Sequence, residues 1–363
     1  MNILIITGSL SGGGTERVSA ILADYLHENG HNVIIAVLHS HQETYPINKN
    51  IKVHILPSHR TKQKKIIQKL HCSIMDYFSL KNIIAQNKIE KIISFCMLHV
   101  ILTLILTKQI DIILSKRNYP LAVSPLKFFL EKQIFKHAKT IIFQTSEQME
   151  CYEDKIRKKG IIIHNPLFSN LPAPYNGVRR KEIITFCRII KQKNLFMLVD
   201  GFIKFYENSP EYKLTIYGNC APQDKSYKDG LEKHISAKNM EHVIKFRDFT
   251  HNIHSLVIDT ACFVLTSDFE GIPNSMLEAM AIGLPVICTD CKGGGARAFI
   301  NNNENGILIP VNDRDALSRA LVYIISNPEE AKKMGEKALE ISDLLSQEKI
   351  CNKWMEILLG KGD

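Results

Sequence analysis

No apolar stretch of this 363-residue chain reaches the length of a bilayer-spanning helix. The longest, IISFCMLHVILTLIL from Ile92 to Leu106, has 15 residues with His99 and Thr103 inside it, where a span needs about 20. It is expected to be a buried strand running into a buried helix. The first ten residues, MNILIITGSL, have neither a basic segment nor a small-residue cleavage site, and are expected to form a first strand and not a leader. Cysteines number nine, scattered and odd in count, which suits a reducing cytoplasm better than a disulfide-stapled secreted protein. A single CxxC joins Cys288 and Cys291, without a second Cys or His pair at zinc spacing, so no metal is expected. Low-complexity tails, coiled-coil heptads and short repeats are missing too.

What remains has the composition of a globular protein, 45% hydrophobic and 23% charged. Its length favours two domains of about 170 residues each. Charge is distributed unevenly. Residues 1–165 carry 22 Lys and Arg against 12 Asp and Glu, a net of +10, while the rest carry 24 against 25, a net of −1. The basic residues cluster at Arg60 to Lys65, at Lys127, Lys132, Lys136 and Lys139, and at Arg157 to Lys159. Such asymmetry suits a first half that meets an anionic membrane surface or a phosphorylated substrate. Nucleic acid is not expected, because no recognition helix, zinc finger or aromatic strand accompanies the charge. A simply solvated basic face explains the same count.

Strand and helix alternate along the chain. NILIIT is followed by a glycine-rich turn, an amphipathic helix carrying Val18, Ile21, Leu22, Tyr25 and Leu26, and the strand HNVIIAVL. Further strands are expected at KIISFC, DIILS, TIIFQT and KGIIIHN. Asn165 to Arg180 holds three prolines, one glycine and no periodicity, the pattern of a linker. After it the alternation restarts with EIITFCRI, KLTIYG, VIKFRDF, CFVLTS and PVICTD, and Glu329 to Leu359 reads as helical. Apolar strands alternating with helices predict an α/β protein of two doubly wound Rossmann-like domains. The expected boundaries are 1–165, a linker at 166–180, 181–340, and a tail at 341–363 packing back toward the first domain.

Three motifs carry candidate chemistry. Gly12, Gly13 and Gly14 lie between the first strand and helix, where backbone N–H groups suit an anion. The dinucleotide and Walker fingerprints are both broken there, by Arg17 and by Gly14-Thr15-Glu16. Arg188 and Lys193 follow the first strand of the second half and form a cation pair suited to a diphosphate. Third comes SDFEGIPNSMLEAMAIGLPVIC, Ser267 to Cys288, with Glu270 and Glu278 on either side of Gly271, Pro273 and Asn274. Here Asn274 or Ser275 can cap a helix, and Ser275-Met-Leu-Glu278 fits a capping box. Alternatively Glu278 accepts from two sugar hydroxyls while the amides of 273–276 hold a phosphate. Glu270 has no capping role to explain it.

In this order the motifs resemble glycosyltransferase family 4, retaining enzymes of the GT-B fold. GGGTERV, CRIIKQKN, FEGIPNSMLEAMAIGLPVI and NGILIPVND carry the resemblance over nearly the whole chain. SKRNYP and IIFQTSEQ are similar to the branch that builds bacterial surface polysaccharides. The resemblance implies transfer from a nucleoside-diphosphate sugar, a UDP-linked hexose or N-acetylhexosamine by family habit, to a lipid-linked saccharide. Glu278 then holds the ribose, Glu270 the transferred sugar, and Arg188 and Lys193 the diphosphate. Gly271, Pro273, Asn274 and Ser275 meet sugar and phosphate, Gly13 and Gly14 approach the same phosphates, and His99 and Arg117 are candidates for the donor sugar or its phosphate. Neither metal nor other cofactor is implied. The basic first domain becomes the acceptor side, at the inner face of the cell membrane. Cys187, Asp248 and Ala298 depart from the family pattern, and CKGGGARAFI is one glycine longer than the common form. Two other readings are a sugar-nucleotide epimerase or hydrolase of the same fold, and a peripheral membrane protein without catalysis.

Overall fold

A computed structural model describes residues 1–10, 13–38, 47–57, 66–95 and 110–360, with the side chains of 66–73 excepted. The chain divides into two compact units, Met1–Pro166 with Gln347–Asp363, and Leu167–Ser346.

Unit 1 is built on β1 (Asn2–Thr7), β2 (Asn32–Val37), β3 (Lys52–Ile55), β4 (Lys91–Ser94), β5 (Asp111–Ser115), β6 (Thr140–Phe143) and β7 (Gly160–Ile162). They form one parallel sheet in the order β3-β2-β1-β4-β5-β6-β7. Helices cover both faces of such a sheet, so its strands must be apolar throughout. NILIIT meets that demand, leaving Ile3, Leu4, Ile5 and Ile6 fully buried. The helix Gly14–Glu28 follows β1 with Gly13 at its N-cap and buries Val18, Leu22 and Leu26. The chain returns to this unit through Gln347–Leu358, which buries Ile350, Trp354 and Leu358. Ile350 and Leu358 contribute about 1.5–3 kcal/mol each. The Trp354 ring lies 5.9 Å from that of Phe95, and Tyr25 donates its hydroxyl to Asn352. Beyond β4, the apolar run expected to continue as a helix lies outside the described residues.

Unit 2 repeats the plan with β8 (Arg180–Phe186), β9 (Lys213–Tyr217), β10 (Ile244–Arg247), β11 (Thr260–Leu265), β12 (Val286–Thr289) and β13 (Ile307–Ile309). The order is β10-β9-β8-β11-β12-β13, again parallel. Two helices pack on one face, Leu195–Tyr206 and Arg314–Ser326, contributing Leu198, Phe202, Leu317 and Leu321 to the core. Each begins with a side-chain cap: Asn194 accepts from the Met197 amide and Asp313 from the Ala316 amide. The proline-rich stretch before β8 belongs to this unit. Leu167 is buried and its N–H donates to the carbonyl of Leu345 at 2.9 Å. Arg179 donates to three carbonyls, those of Ile258, Thr260 and Gly283, at 2.7 to 3.0 Å.

Both sheets reverse strand order once, between β1 and β4 and between β8 and β11. In an open α/β sheet, ligands bind beyond the carboxyl ends of the strands at that reversal. Gly13 and Gly14 follow β1, while Arg188 and Lys193 follow β8 and Glu270 follows β11. These five expected site residues therefore fall at the switch points, whereas Arg117 follows β5. Among the described residues, no helix is long and apolar enough to cross a membrane.

Candidate active site

The switch point of unit 2 is made by two loops hydrogen-bonded to each other. After β8 the chain passes through Cys187 and Arg188 into a tight turn at Lys191–Lys193 and reaches Asn194 with φ of 44°. That left-handed conformation is one asparagine tolerates well. After β11 come Thr266, Ser267, Asp268, Phe269 and Glu270. Thr266 Oγ1 lies 3.0 and 3.1 Å from the carbonyls of Lys193 and Asn194. The Asp268 amide donates to the Gln192 carbonyl at 2.9 Å, and Gln192 Nε2 donates to the Phe269 carbonyl at 2.8 Å. Asn194 Nδ2 reaches Asp268 Oδ1 at 2.7 Å.

These bonds bring Lys193 and Glu270 together. Lys193 Nζ donates to Glu270 Oε1 at 2.5 Å, and Ser267 Oγ donates to the same oxygen at 2.7 Å. Both ion-pair partners are buried. Burial works against the charge on Lys193, yet the attraction of Glu270 outweighs it and the pKa ends above its ordinary value. Lys193 is thus a held cation, and Glu270 has a structural partner that its place in the sequence did not suggest. Arg188 is exposed and makes no hydrogen bond or ion pair with a described residue.

The helix Asn274–Ala281 follows Glu270, with Pro273 at its N-cap and no side-chain cap bond. The expected capping box does not form. Glu278 is buried in the body of the helix, and its Oε2 lies 3.0 Å from Nε2 of His254. The amide set 273–276 also shrinks. Proline has no N–H, and the Met276 amide donates to the Pro273 carbonyl at 3.1 Å, so an anion there meets the amides of Asn274 and Ser275 at most.

The third glycine of the longer loop now has a physical reason. A Cβ at Gly295 would stand 1.8 Å from the Gly271 carbonyl oxygen, and Gly293 and Gly294 have φ of 98° and 67°. Lys292 accepts the Glu270 amide at 3.0 Å from the same loop. The backbone of 292–295 thus props the Glu270–Gly271 turn. At Gly218 a Cβ would stand 1.8 Å from the Cys187 carbonyl oxygen, so the ends of β8 and β9 meet backbone to backbone. Cys288 and Cys291 are buried free thiols. Burial pushes Cys291 up to about 12 and Cys288 well above its ordinary value, which leaves both inert at neutral pH. Among the described residues, no three His, Cys, Asp or Glu gather as metal ligands.

In unit 1, Gly13 and Gly14 form the start of the Gly14–Glu28 helix, and Gly12 and His99 lie outside the described residues. Arg117 is buried just beyond β5. It donates through Nη1 to Asn165 Oδ1 at 2.6 Å and packs 5.1 and 5.6 Å from the Phe95 and Trp354 ring centres. Its Nε and Nη2 have no partner among the described residues. Burial pulls its pKa down to about 9, so the cation persists at neutral pH. Of the basic cluster, Lys136 pairs with Glu153, Lys139 with Asp111 and Arg157 with Asp154. Lys127 stays exposed on the helix Pro125–Phe135, beside Leu126, Phe129 and Leu130, which are 68, 53 and 49% exposed. The cluster around Arg60 lies outside the described residues.

Sequence reasoning did not single out His254, Gln192 or Thr266. No local spacing links His254 to Glu278, which lie 24 residues apart. A groove of about 700 Å³ in unit 2 is lined by Lys191, Asn194, Phe196, Tyr227, Asp268 and Asn312 among others, and by none of the expected site residues. The hydrogen-bonded geometry at the switch point is the more informative of the two, because it gathers the ionisable groups.

Known proteins share this arrangement and parts of the sequence. Residues 175–341 match the group described as glycosyl transferases group 1. The match covers most of unit 2. A Campylobacter jejuni N-acetyl-D-galactosaminyltransferase, named for its GalNAc-containing diNAcBac-PP-undecaprenol substrate, is 21% identical over 363 residues, 99% of this chain and 98% of that protein. Among solved structures, a sucrose-phosphate synthase from Thermosynechococcus elongatus superposes with a TM-score of 0.85 at 18% identity, covering 99% of this chain and 98% of that one. Anabaena HepE in complex with UDP-glucose gives 0.82 at 16%, covering 99% and 100%. The fold is accordingly GT-B. The matched residues include the β8 and β11 ends, where Lys193 and Glu270 meet.

Proposed function

We propose that this chain is a retaining glycosyltransferase that moves a hexose or N-acetylhexosamine from a UDP-sugar to a lipid-linked saccharide in surface polysaccharide synthesis. The observation that carries this reading is the buried Lys193–Glu270 pair at the unit 2 switch point, with exposed Arg188 on the same loop. Lys193 and Arg188 neutralise the diphosphate. Glu270 exchanges part of its hold on Lys193 for the hydroxyls of the transferred sugar, Glu278 receives the ribose diol, and Gly271, Pro273, Asn274 and Ser275 frame sugar and phosphate. HepE, whose structure holds UDP-glucose, supports the choice of nucleotide. The undecaprenol-linked saccharide in the Campylobacter enzyme's name supports the acceptor class.

Transfer breaks the bond between the anomeric carbon and the diphosphate oxygen and forms one to the acceptor oxygen on the same face. Positive charge grows on the sugar and negative charge on the leaving phosphate, so fixed cations and amides stabilise the transition state. The acceptor proton passes to the departing phosphate. In this reading the two side-chain cations take the place of a metal. In the same reading Gly13, Gly14 and Arg117 are assigned to the donor, Arg117 offering a buried cation with two nitrogens unpartnered among the described residues. The exposed Leu126, Phe129 and Leu130 beside Lys127 support attachment to the inner face of the membrane.

Saturation-transfer NMR with UDP-, GDP- and ADP-sugars tests the donor class. Selective signal from a UDP-sugar, ribose protons included, is expected; silence across the panel overturns the proposal. Vesicle flotation tests the membrane contact, which must weaken with salt and with loss of anionic lipid.

A further inference from the structure

We infer that His254 is a positioning residue that orients the Glu278 carboxylate toward the ribose diol. The inference rests on the assignment of Glu278 proposed above. A carboxylate accepts and does not donate, so at 3.0 Å from Glu278 Oε2 it is His254 Nε2 that carries the hydrogen. The imidazole is held on its other sides. It meets the Phe168 ring edge-on at 5.9 Å and 62°, and the Phe186 ring at 6.0 Å and 88°. Phe168 lies in the stretch of unit 2 that precedes β8, Phe186 ends β8, and His254 sits in the short helix Ile253–Val257. Three separate segments thus fix one ring, and the ring fixes one oxygen.

That arrangement matters for a diol. Two vicinal hydroxyls donate together only to a carboxylate whose plane is set, and a glutamate has three side-chain torsions to lose before it presents that plane. A carboxylate has about four acceptor positions, and the bond from His254 occupies one of them. Holding the side chain before the ligand arrives removes part of the ordering cost from binding. A purely structural role for His254, satisfying a buried acid, predicts equal losses for ligands with and without the diol.

The test is calorimetric titration of wild type, His254→Phe and His254→Gln with UDP and with 2′,3′-dideoxy-UDP. His254→Phe keeps an aromatic ring between Phe168 and Phe186, and His254→Gln restores an N–H donor. Phe is expected to weaken UDP binding about tenfold, the worth of one hydrogen bond to a charged group, and dideoxy-UDP less than twofold. Gln should recover most of the UDP affinity. In turnover, KM for the donor should rise while kcat changes less than threefold. Equal weakening of both nucleotides by His254→Phe, or none by either variant while wild type still discriminates the diol, overturns the positioning role alone. Failure of wild type to distinguish UDP from its dideoxy form overturns the Glu278 assignment, and the inference with it. Should His254→Phe fail to fold, the Gln variant carries the same comparison: its preference for UDP over dideoxy-UDP must stay within about threefold of wild type.

Discussion

Lys193 and Glu270 lie 77 residues apart in sequence and share a hydrogen bond of 2.5 Å in the interior of unit 2. Because each compensates the other's burial, removing one leaves a stranded charge, which costs about 3–5 kcal/mol. Glu270→Ala therefore confounds catalysis with stability, and Glu270→Gln is the better probe. Transfer by Glu270→Gln is expected to fall at least about a hundredfold, the usual cost of one charge-stabilising group. Turnover measured beside a thermal melt checks this; a variant with most of the wild-type rate rules out the role.

The same pair sets a pH dependence. The folded-state pKa of Lys193 lies above the ordinary 10.5. A raised pKa means that the folded state holds its proton more tightly than the unfolded chain does. The resulting stabilisation is complete below 10.5 and disappears as pH rises through the folded value. Urea midpoints followed from pH 8 upward should show no loss attributable to Lys193 until that range. In Lys193→Met the alkaline loss should be smaller.

Arg188→Ala should leave the melting temperature unchanged, since Arg188 is exposed and pairs with no described residue. Affinity for a nucleoside diphosphate should fall about tenfold or more while that for the nucleoside is unaffected, because an arginine–phosphate pair is charge-assisted. Equal loss for both ligands in calorimetry would mean that Arg188 acts through the fold.

Gly295→Ala places a Cβ 1.8 Å from the Gly271 carbonyl oxygen, a contact of backbone with backbone that no rotamer relieves. The 292–295 loop must move, at a cost of about 1–3 kcal/mol, and the Glu270–Gly271 turn moves with it. Hydrogen exchange at Glu270, whose amide donates to Lys292, should speed up. Unaltered exchange there would separate the two loops.

Cys288 and Cys291 should resist alkylation at pH 8 in the folded protein and react on unfolding, since burial disfavours both thiolates. Mass spectrometry of the labelled peptides distinguishes them from the partly exposed Cys151 and Cys220.

Features written in contiguous residues were legible in the sequence. The strands EIITFCRI and CFVLTS, the glycine-proline turn and the two glutamates all sit where their spacing placed them. What was not legible depends on tertiary neighbours. Ser275 and Glu278 have the right spacing for a capping box, but Pro273 takes the N-cap position and His254 lies against one Glu278 oxygen. A local bond competes with a partner brought in by another helix, and here the partner wins. Net charge had the same weakness. It counted Lys136, Lys139 and Arg157 as a basic face, but could not reveal that Glu153, Asp111 and Asp154 lie beside them.

The bond from the Leu167 amide to the Leu345 carbonyl, 2.9 Å long, joins the first residue of unit 2 to nearly its last. A module whose two ends touch can be lifted from one chain and set into a surface loop of another without stretching its host. Joined head to tail by a short peptide, residues 167–346 could equally be reopened at an exposed loop. In evolutionary terms unit 2 has the closed ends of a removable cassette, and unit 1 keeps its own sheet without it.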